Sequence, residues 1–404
     1  TLMYFIYRSS KLLKNGGFFG MIIPDTLLYQ NDNKKLREYI LKNFCIKNVI
    51  NLGGNIFEHV NRPSSIIVFN KEKNDSNIVK VADLSHLKEK FNAINNNKLY
   101  ISLNQNKIMS LPNKIFLTQG AHEFDILDKI KSLKPVQLKY LVDSDGIQRG
   151  VSPDFKDAFI IDLKTANNHK LEKIKLKPVL TGGKQVKKYS IKYDKLYLVY
   201  TKREDSPKKI PNIVSYINTF KDKITCTEVK EKKHPIYALH RPRDEKIFNK
   251  KIKILGVITE DEIVVAPDFF GTYVTDGLYV FSLSDITILQ YVLGILNSNL
   301  FKFLYQLICM EKGRVLAQVK PTLLEKFPIV MIDKEHRTYV SIKILVDKML
   351  SLNKKLQEIG DRNTLEKQKI EEEIQKTDNE IDELVYQLYG ITEEEKKIIE
   401  ESLR

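Results

Sequence analysis

Between Leu289 and Leu307 apolar side chains recur at helical spacing (Leu289, Val292, Leu293, Leu296, Leu300, Phe303, Leu304, Leu307). The pattern breaks at Gly313-Arg314, and a second short amphipathic run follows Lys320-Pro321. Two apolar helices flanking a basic, glycine-bearing connection must bury a face against the rest of the chain. In the middle of the first run sit Asn297, Ser298 and Asn299. Short polar side chains compete with the backbone for hydrogen bonds and lower helix propensity, so something other than local preference holds them there. The most apolar window, Ile286 to Met310, is interrupted by Gln290, Asn297, Asn299, Lys302 and Gln306, and no membrane span or membrane partner is expected.

A chain of 404 residues suits two or three domains, and a hydrophobic share of 42% can fill their cores. Cys45, Cys226 and Cys309 lie far apart, without paired zinc spacing and in an odd number. Neither a disulfide framework nor a metal site is expected, and a reducing cytoplasmic compartment is. The chain starts on Thr and enters an amphipathic helix at once, as a piece of a longer protein would. Lys and Arg number 66 against 51 Asp and Glu, a formal charge of +15. Acidic residues outnumber basic ones beyond Val340, so the excess sits in the body. A basic body with an acidic tail favours a polyanionic partner. Lysine enrichment that only solubilises the surface would leave the same composition.

Residues 1–70 alternate helix and strand. Tyr4–Lys14 is amphipathic and stops at Asn15-Gly16-Gly17; Phe18–Ile23 is an apolar strand; a helix runs from Asn31–Asn33 to Asn43; strands Ile46–Leu52 and Ser64–Asn70 flank a loop. Helix, strand, helix, strand, strand is the closing half of an α/β sheet. The Asn-rich stretch that follows reads as a connector holding a strand or two, and Glu123–Leu141 as a helix. In the tail, Ile342, Leu345, Met349, Leu352, Leu356 and Ile359 step by three and four, as do Ile370, Ile374, Thr377, Ile381, Leu384 and Leu388. Two such helices around residues 360–363 make an antiparallel hairpin, and Thr392 with Glu395 forms a capping box for a last helix.

Four words occur in order over residues 239–329: LHRPRDEKIFNKKI, APDFFGTYVTDGLYVF, YVLGILNSNLFKFLY and KGRVLAQVKPTLLEKFPI. Together they resemble the C-terminal specificity domain of the Taq-type adenine-specific DNA methyltransferases of restriction-modification systems. The opening of that domain is similar to Gly150 and the residues leading to Phe159-Ile160-Ile161-Asp162, read as an aromatic strand pair around Phe155 and Phe159–Ile161.

The resemblance implies an α/β remnant, the second half of a Rossmann-like methyltransferase sheet (1–72), then a connector (73–118), an α+β target-recognition domain (119–335) and a helical hairpin tail (336–404). It implies S-adenosylmethionine as methyl donor, double-stranded DNA as partner, and an endonuclease domain or subunit as a further candidate partner. Phe57, in the loop Gly53–Pro63, matches the ring that stacks on a flipped adenine, restoring about 1–3 kcal/mol of lost stacking. Phe5 falls where a ring meets the adenine of the donor. Ordinary core packing is the competing account of both rings. The family's glycine-rich donor loop and Asn-Pro-Pro-aromatic motif do not occur in the 404 residues, so this chain by itself is expected not to methylate. A specificity subunit without chemistry is the alternative.

Arginine grips a phosphate or a guanine edge in a fork, whereas lysine acts as a point charge. Arg149, Arg203, Arg241, Arg243 and Arg314 are therefore the candidates for base reading. Lys184, Lys187, Lys188, Lys202, Gln318 and Lys320 join them as DNA contacts. The expectation is one continuous basic face with Phe57 at its edge.

Two patterns mislead. Gly182-Gly183-Lys184 lacks the first glycine of a phosphate loop. Pro153-Asp154 with Asp162-Leu163-Lys164 mimics a nuclease site, but the surrounding hydrophobics suit a strand pair. Asp268, after Pro267, reads as a turn-former, and His240 carries no catalytic assignment.

Overall fold

The structure, a computed structural model, describes residues 2–58, 62–72, 74, 76–116, 122–309, 317–360 and 364–403. The chain divides into two compact units, residues 1–128 with 308–310, and residues 129–307 with 311–404. It is a mixed α/β protein with several separate sheets.

In the first unit, helix α1 (Leu2–Leu12) precedes five strands: β1 (Phe18–Pro24), β2 (Cys45–Gly53), β3 (Ser64–Asn70), β4 (Ile78–Asp83) and β5 (Ile101–Asn104). Their order is β1-β3-β2-β4-β5, with β3 antiparallel to both neighbours and β4 parallel to β2. Strand β3 reads Ser-Ser-Ile-Ile-Val-Phe-Asn because an inner strand buries both faces. The segment 73–118, expected as a connector holding a strand or two, carries two strands of this sheet, β4 and β5. Its polar residues do specific work. The Gln105 side chain accepts from the Ile46 N–H (2.9 Å) and from Asn77 Nδ2 (2.8 Å), and donates to the carbonyls of Leu41 and Phe44. The buried Arg37 guanidinium donates to the carbonyls of Leu27, Gln30, Asn113 and Lys114, and burial lowers it to about 10.

The helix expected over Glu123–Leu141 spans only His122–Ser132. Lys134 adopts φ 53° just before Pro135, a conformation that ends a helix.

The second unit holds two four-stranded sheets. One is ordered Tyr273–Val274, Leu176–Leu180, Tyr197–Val199, Ile160–Ile161; the other Val265–Asp268, Lys253–Val257, Leu278–Phe281, Gln148–Arg149. Residues of both fill one core, among them Val179, Leu198, Leu255, Val274 and Val280. The aromatic strand pair expected at Phe155 is absent: Phe155 sits at the N-cap position of a short helix, Lys156–Phe159, and only Ile160–Ile161 is strand.

The apolar run of 289–307 is two helices, Leu289–Asn297 and Asn299–Cys309, bent by 62° at Ser298. The three polar residues cause the break. The Asn297 amide pairs with the backbone of Val265 in both directions, each at 3.0 Å. Ser298 Oγ donates to the Ile295 carbonyl, and the Asn299 N–H donates to Asp382 Oδ1 at 2.7 Å. An acid from another helix therefore caps the second half of the run. Helices Arg337–Ile359 and Leu365–Leu388 lie against each other, and a Cβ on Gly294 would stand 2.8 Å from Ile342 Cγ2, so glycine permits the close approach there. Thr392 and Glu395 exchange hydrogen bonds at the head of Glu393–Leu403. Among the described residues, no single helix is long and apolar enough to cross a membrane.

Candidate nucleic-acid interface

The short edge strand Gln148–Arg149 pairs with Leu278–Phe281, setting Arg149 opposite Tyr279. The chain then passes through Gly150, where a Cβ would lie 2.3 Å from the carbonyl oxygens of Val274 and Thr275; only glycine fits. Val151 and Ser152 next bridge Thr275 and Arg241, so the same crossing carries Arg149 and Arg241. Arg243 follows in a left-handed backbone conformation (φ 65°), its Nε donating to the Gly150 carbonyl at 3.1 Å. Arg149 Nη2 donates to Gln318 Oε1 at 3.2 Å. Burial holds the Arg243 guanidinium below its ordinary value, and Arg241 and Arg149 press it in the same direction against the opposing pull of Asp276. Arg149 and Arg241 thus lie close enough to Arg243 to act on it. Asp276 also accepts from Ser152 Oγ at 2.9 Å. Forked donors gathered this way suit a phosphate or a guanine edge.

Gln318 and Lys320 are fixed through Tyr305, whose hydroxyl donates to the Gln318 carbonyl (2.9 Å) and accepts from the Lys320 N–H (3.0 Å). Arg314 lies outside the described residues. Lys184 and Lys187 are exposed and carry no ion pair among the described residues. Three other candidates are committed inside the unit. Lys188 faces Asp378 at 3.7 Å, Lys202 pairs with Glu245 at 2.5 Å, and Arg203 donates to Glu228 and to His234 Nδ1, both at 2.8 Å. Acids distant in sequence thus face three of the candidates, as they also do at Lys175–Asp205 and Lys302–Glu262.

In the first unit Phe57 is 50% exposed, and its neighbour Ile56 packs on Ile50, Leu52, Ala82 and Leu84. One residue anchors the loop and the next turns outward. On α1, Ile6 is fully buried while Phe5 is 54% exposed. Neither ring is core. His59, Val60 and Asn61 of the same loop lie outside the described residues.

The misleading patterns resolve as well. Asp162 caps helix Leu163–Asn168, its Oδ1 accepting from the Thr165 N–H at 2.7 Å. Asp154 instead meets Cys226 and His240, a grouping invisible in sequence because three distant segments supply it. Gly183–Gln185 forms a single turn, with Gln185 accepting from the Thr181 N–H at 2.6 Å. Asp268 does hold a turn, accepting from the N–H groups of Phe270 and Thr272 and from Thr272 Oγ1. It also faces Lys253 Nζ at 2.8 Å with both side chains wholly buried, an ion pair without an aligned hydrogen bond.

Residues 2–129 match the family described as N-6 DNA methylase, and residues 177–329 the TaqI-like C-terminal specificity domain. A Methanocaldococcus jannaschii protein named as a type II restriction enzyme and methyltransferase, RM.MjaORFECS2P, is 28% identical over 392 residues, which are 95% of this chain and 28% of that protein. The chain spans less than a third of that relative's length. Among solved structures, the type IIL restriction-modification enzyme MmeI in complex with DNA shares the fold, with TM-score 0.59 and 11% identity over 97% of this chain and 48% of that one. A nuclease-deletion mutant of the type ISP enzyme LlaGI with a DNA substrate mimic gives TM-score 0.48 and 12% identity over 86% and 30% of the two chains. The chain thus joins a stretch similar to the N-6 DNA methylases, residues 2–129, to one similar to the TaqI-like C-terminal specificity domain, residues 177–329.

Proposed function

We infer that the chain is the DNA-reading part of a site-specific adenine methyltransferase. The observation that carries this is the meeting of Arg149, Arg241 and Arg243 beside Gln318 at the edge of one sheet. Guanidiniums gathered at one sheet edge suit an anionic partner, and a duplex offers phosphates and guanine edges at fork spacing. Lys184, Lys187 and Lys320 add point charges for phosphates. The strands β1–β5 serve as the second half of a Rossmann-like sheet, and the exposed Phe57 stacks on the extruded adenine. The C-terminal helices act by packing, with Asp382 capping the apolar pair.

The donor in this reading is S-adenosylmethionine, which supplies the methyl group. Phe5 is the one donor-contact position that falls in this chain, and a single half-exposed ring does not hold a molecule of that size. Neither the glycine-rich loop nor the Asn-Pro-Pro motif occurs in the 404 residues, so transfer itself is assigned to the longer protein, with an endonuclease domain or subunit beside it.

A binding selection on random duplexes tests the reading. The expected result is enrichment of one short sequence containing adenine; a pool that stays random contradicts it. Methylation of that adenine by the longer protein, absent when the donor loop is deleted, separates the enzyme from a specificity subunit without chemistry.

A further inference from the structure

Asp154, Cys226 and His240 each offer one ligand atom, and these atoms lie within 4.8 Å of one another. Asp154 stands just before helix Lys156–Phe159, Cys226 just before Thr227–Lys230, and His240 next to Arg241, whose backbone bridges Ser152. His240 Nδ1 is 3.8 Å from Asp154 Oδ1, and its Nε2 is 3.7 Å from Glu228 Oε1. Both spans exceed the 2.7–3.2 Å or so of a hydrogen bond, so the imidazole is bonded to neither carboxylate. Ligands sharing one tetrahedral ion at bond lengths of about 2.0–2.3 Å stand roughly 3.3–3.8 Å apart. His240 Nδ1 and Asp154 Oδ1, 3.8 Å apart, already meet that spacing, and the cluster as a whole, within 4.8 Å, closes on an ion by side-chain movements of up to about 1.5 Å. The neighbouring His234 is committed elsewhere: its Nδ1 accepts from Arg203 Nε, so its Nε2 carries the proton and donates to the Ala238 carbonyl at 2.9 Å.

We propose that Asp154, Cys226 and His240 form a binding site for one divalent ion of the zinc class, with solvent in the fourth position. A thiolate and an imidazole select such an ion over magnesium or calcium, which prefer oxygen cages. Glu228, on the far side of the His240 ring, takes the place of the carboxylate that commonly orients a metal-bound histidine. The side chains of His240 and Asp154 are 27% and 18% exposed, which leaves an entry path and room for a water ligand. The ion ties three separate segments together, two of them at the Ser152–Arg241 bridge. The site stands on its own geometry and does not depend on the reading of the arginines.

Cobalt reports the site directly. Titrating the metal-free full chain with Co²⁺ is expected to give one ion per chain. A thiolate-to-cobalt charge-transfer band and strong visible bands of a four-coordinate ion should appear, displaced by Zn²⁺ and unaffected by excess Mg²⁺. Cys226→Ser removes the charge-transfer band, Glu228→Gln weakens zinc binding about tenfold, and a Cys45→Ala/Cys309→Ala variant keeps the full spectrum. A native chain that binds cobalt without the charge-transfer band, or does not bind it, overturns the proposal whatever the variants do. A band that survives in folded Cys226→Ser overturns it equally.

Discussion

Arg243 holds a left-handed backbone that costs a side-chain-bearing residue on the order of 1–2 kcal/mol, and its Nε is tied to the Gly150 carbonyl. Strain of that kind persists where surroundings impose it, often at ligand clamps. Arg243→Gly is expected to leave the thermal midpoint unchanged or raised while lowering duplex affinity by about 1–3 kcal/mol, read by fluorescence anisotropy. A lowered midpoint with unchanged affinity would make Arg243 a structural residue. Lys253 and Asp268 pose the opposite case, a buried pair whose two charges depend on each other. Asp268→Asn keeps one of the two oxygens that hold the turn and strands the ammonium, and should destabilise by about 3–5 kcal/mol in urea unfolding. Adding Lys253→Met is expected to recover much of the loss; a double variant as weak as the single one would show that the turn, not the charge, carries the stability.

Asp382 links two elements, accepting the first N–H of helix Asn299–Cys309 from its place on Leu365–Leu388. Burial, reinforced by Asp378, raises its carboxyl from 3.8 to about 7, against the lowering effect of the Asn299 N–H. The folded state therefore binds the proton more tightly than the unfolded chain. The stability this gives is complete below about pH 3.8 and is lost as pH rises through 7. Asp382→Asn keeps the acceptor without the titration, so it should gain on the native chain by about 1–3 kcal/mol at pH 8 and gain nothing at pH 3.5. Equal denaturation midpoints at pH 8 would contradict this.

Elements were legible where local chemistry decides them. Ser64–Asn70 has the bounds its β-branched run suggests, whereas the helix from Glu123 ends early because Lys134 turns left-handed before a proline. Asn297, Ser298 and Asn299 announce a break in the apolar run, but their partners, Val265 and Asp382, are remote in the chain. The same limit governs the site. Arg149, Arg241, Arg243 and Gln318 look no different in sequence from Lys188, Lys202 and Arg203, and it takes the fold to show that the latter three each face an acid at ion-pair distance.

At the scale of the whole molecule, the formal charge of +15 already counts every acid, so what DNA would meet depends on where the uncompensated cations stand. Some lysines, among them Lys175, Lys188, Lys202 and Lys302, face acids within the fold, and the arginine cluster is what stands out among the candidates. Phosphate contacts set the slope of log affinity against log salt, at about 0.9 for each phosphate neutralised on duplex DNA. The most direct test is therefore that slope, measured for the native chain, for an Arg149→Ala/Arg241→Ala/Arg243→Ala variant and for a Lys188→Ala/Lys202→Ala variant. A slope that falls by roughly two to three units in the arginine variant and stays put in the lysine variant is the predicted result. An unchanged slope without the three arginines, or a fall of that size without the two paired lysines, would contradict it.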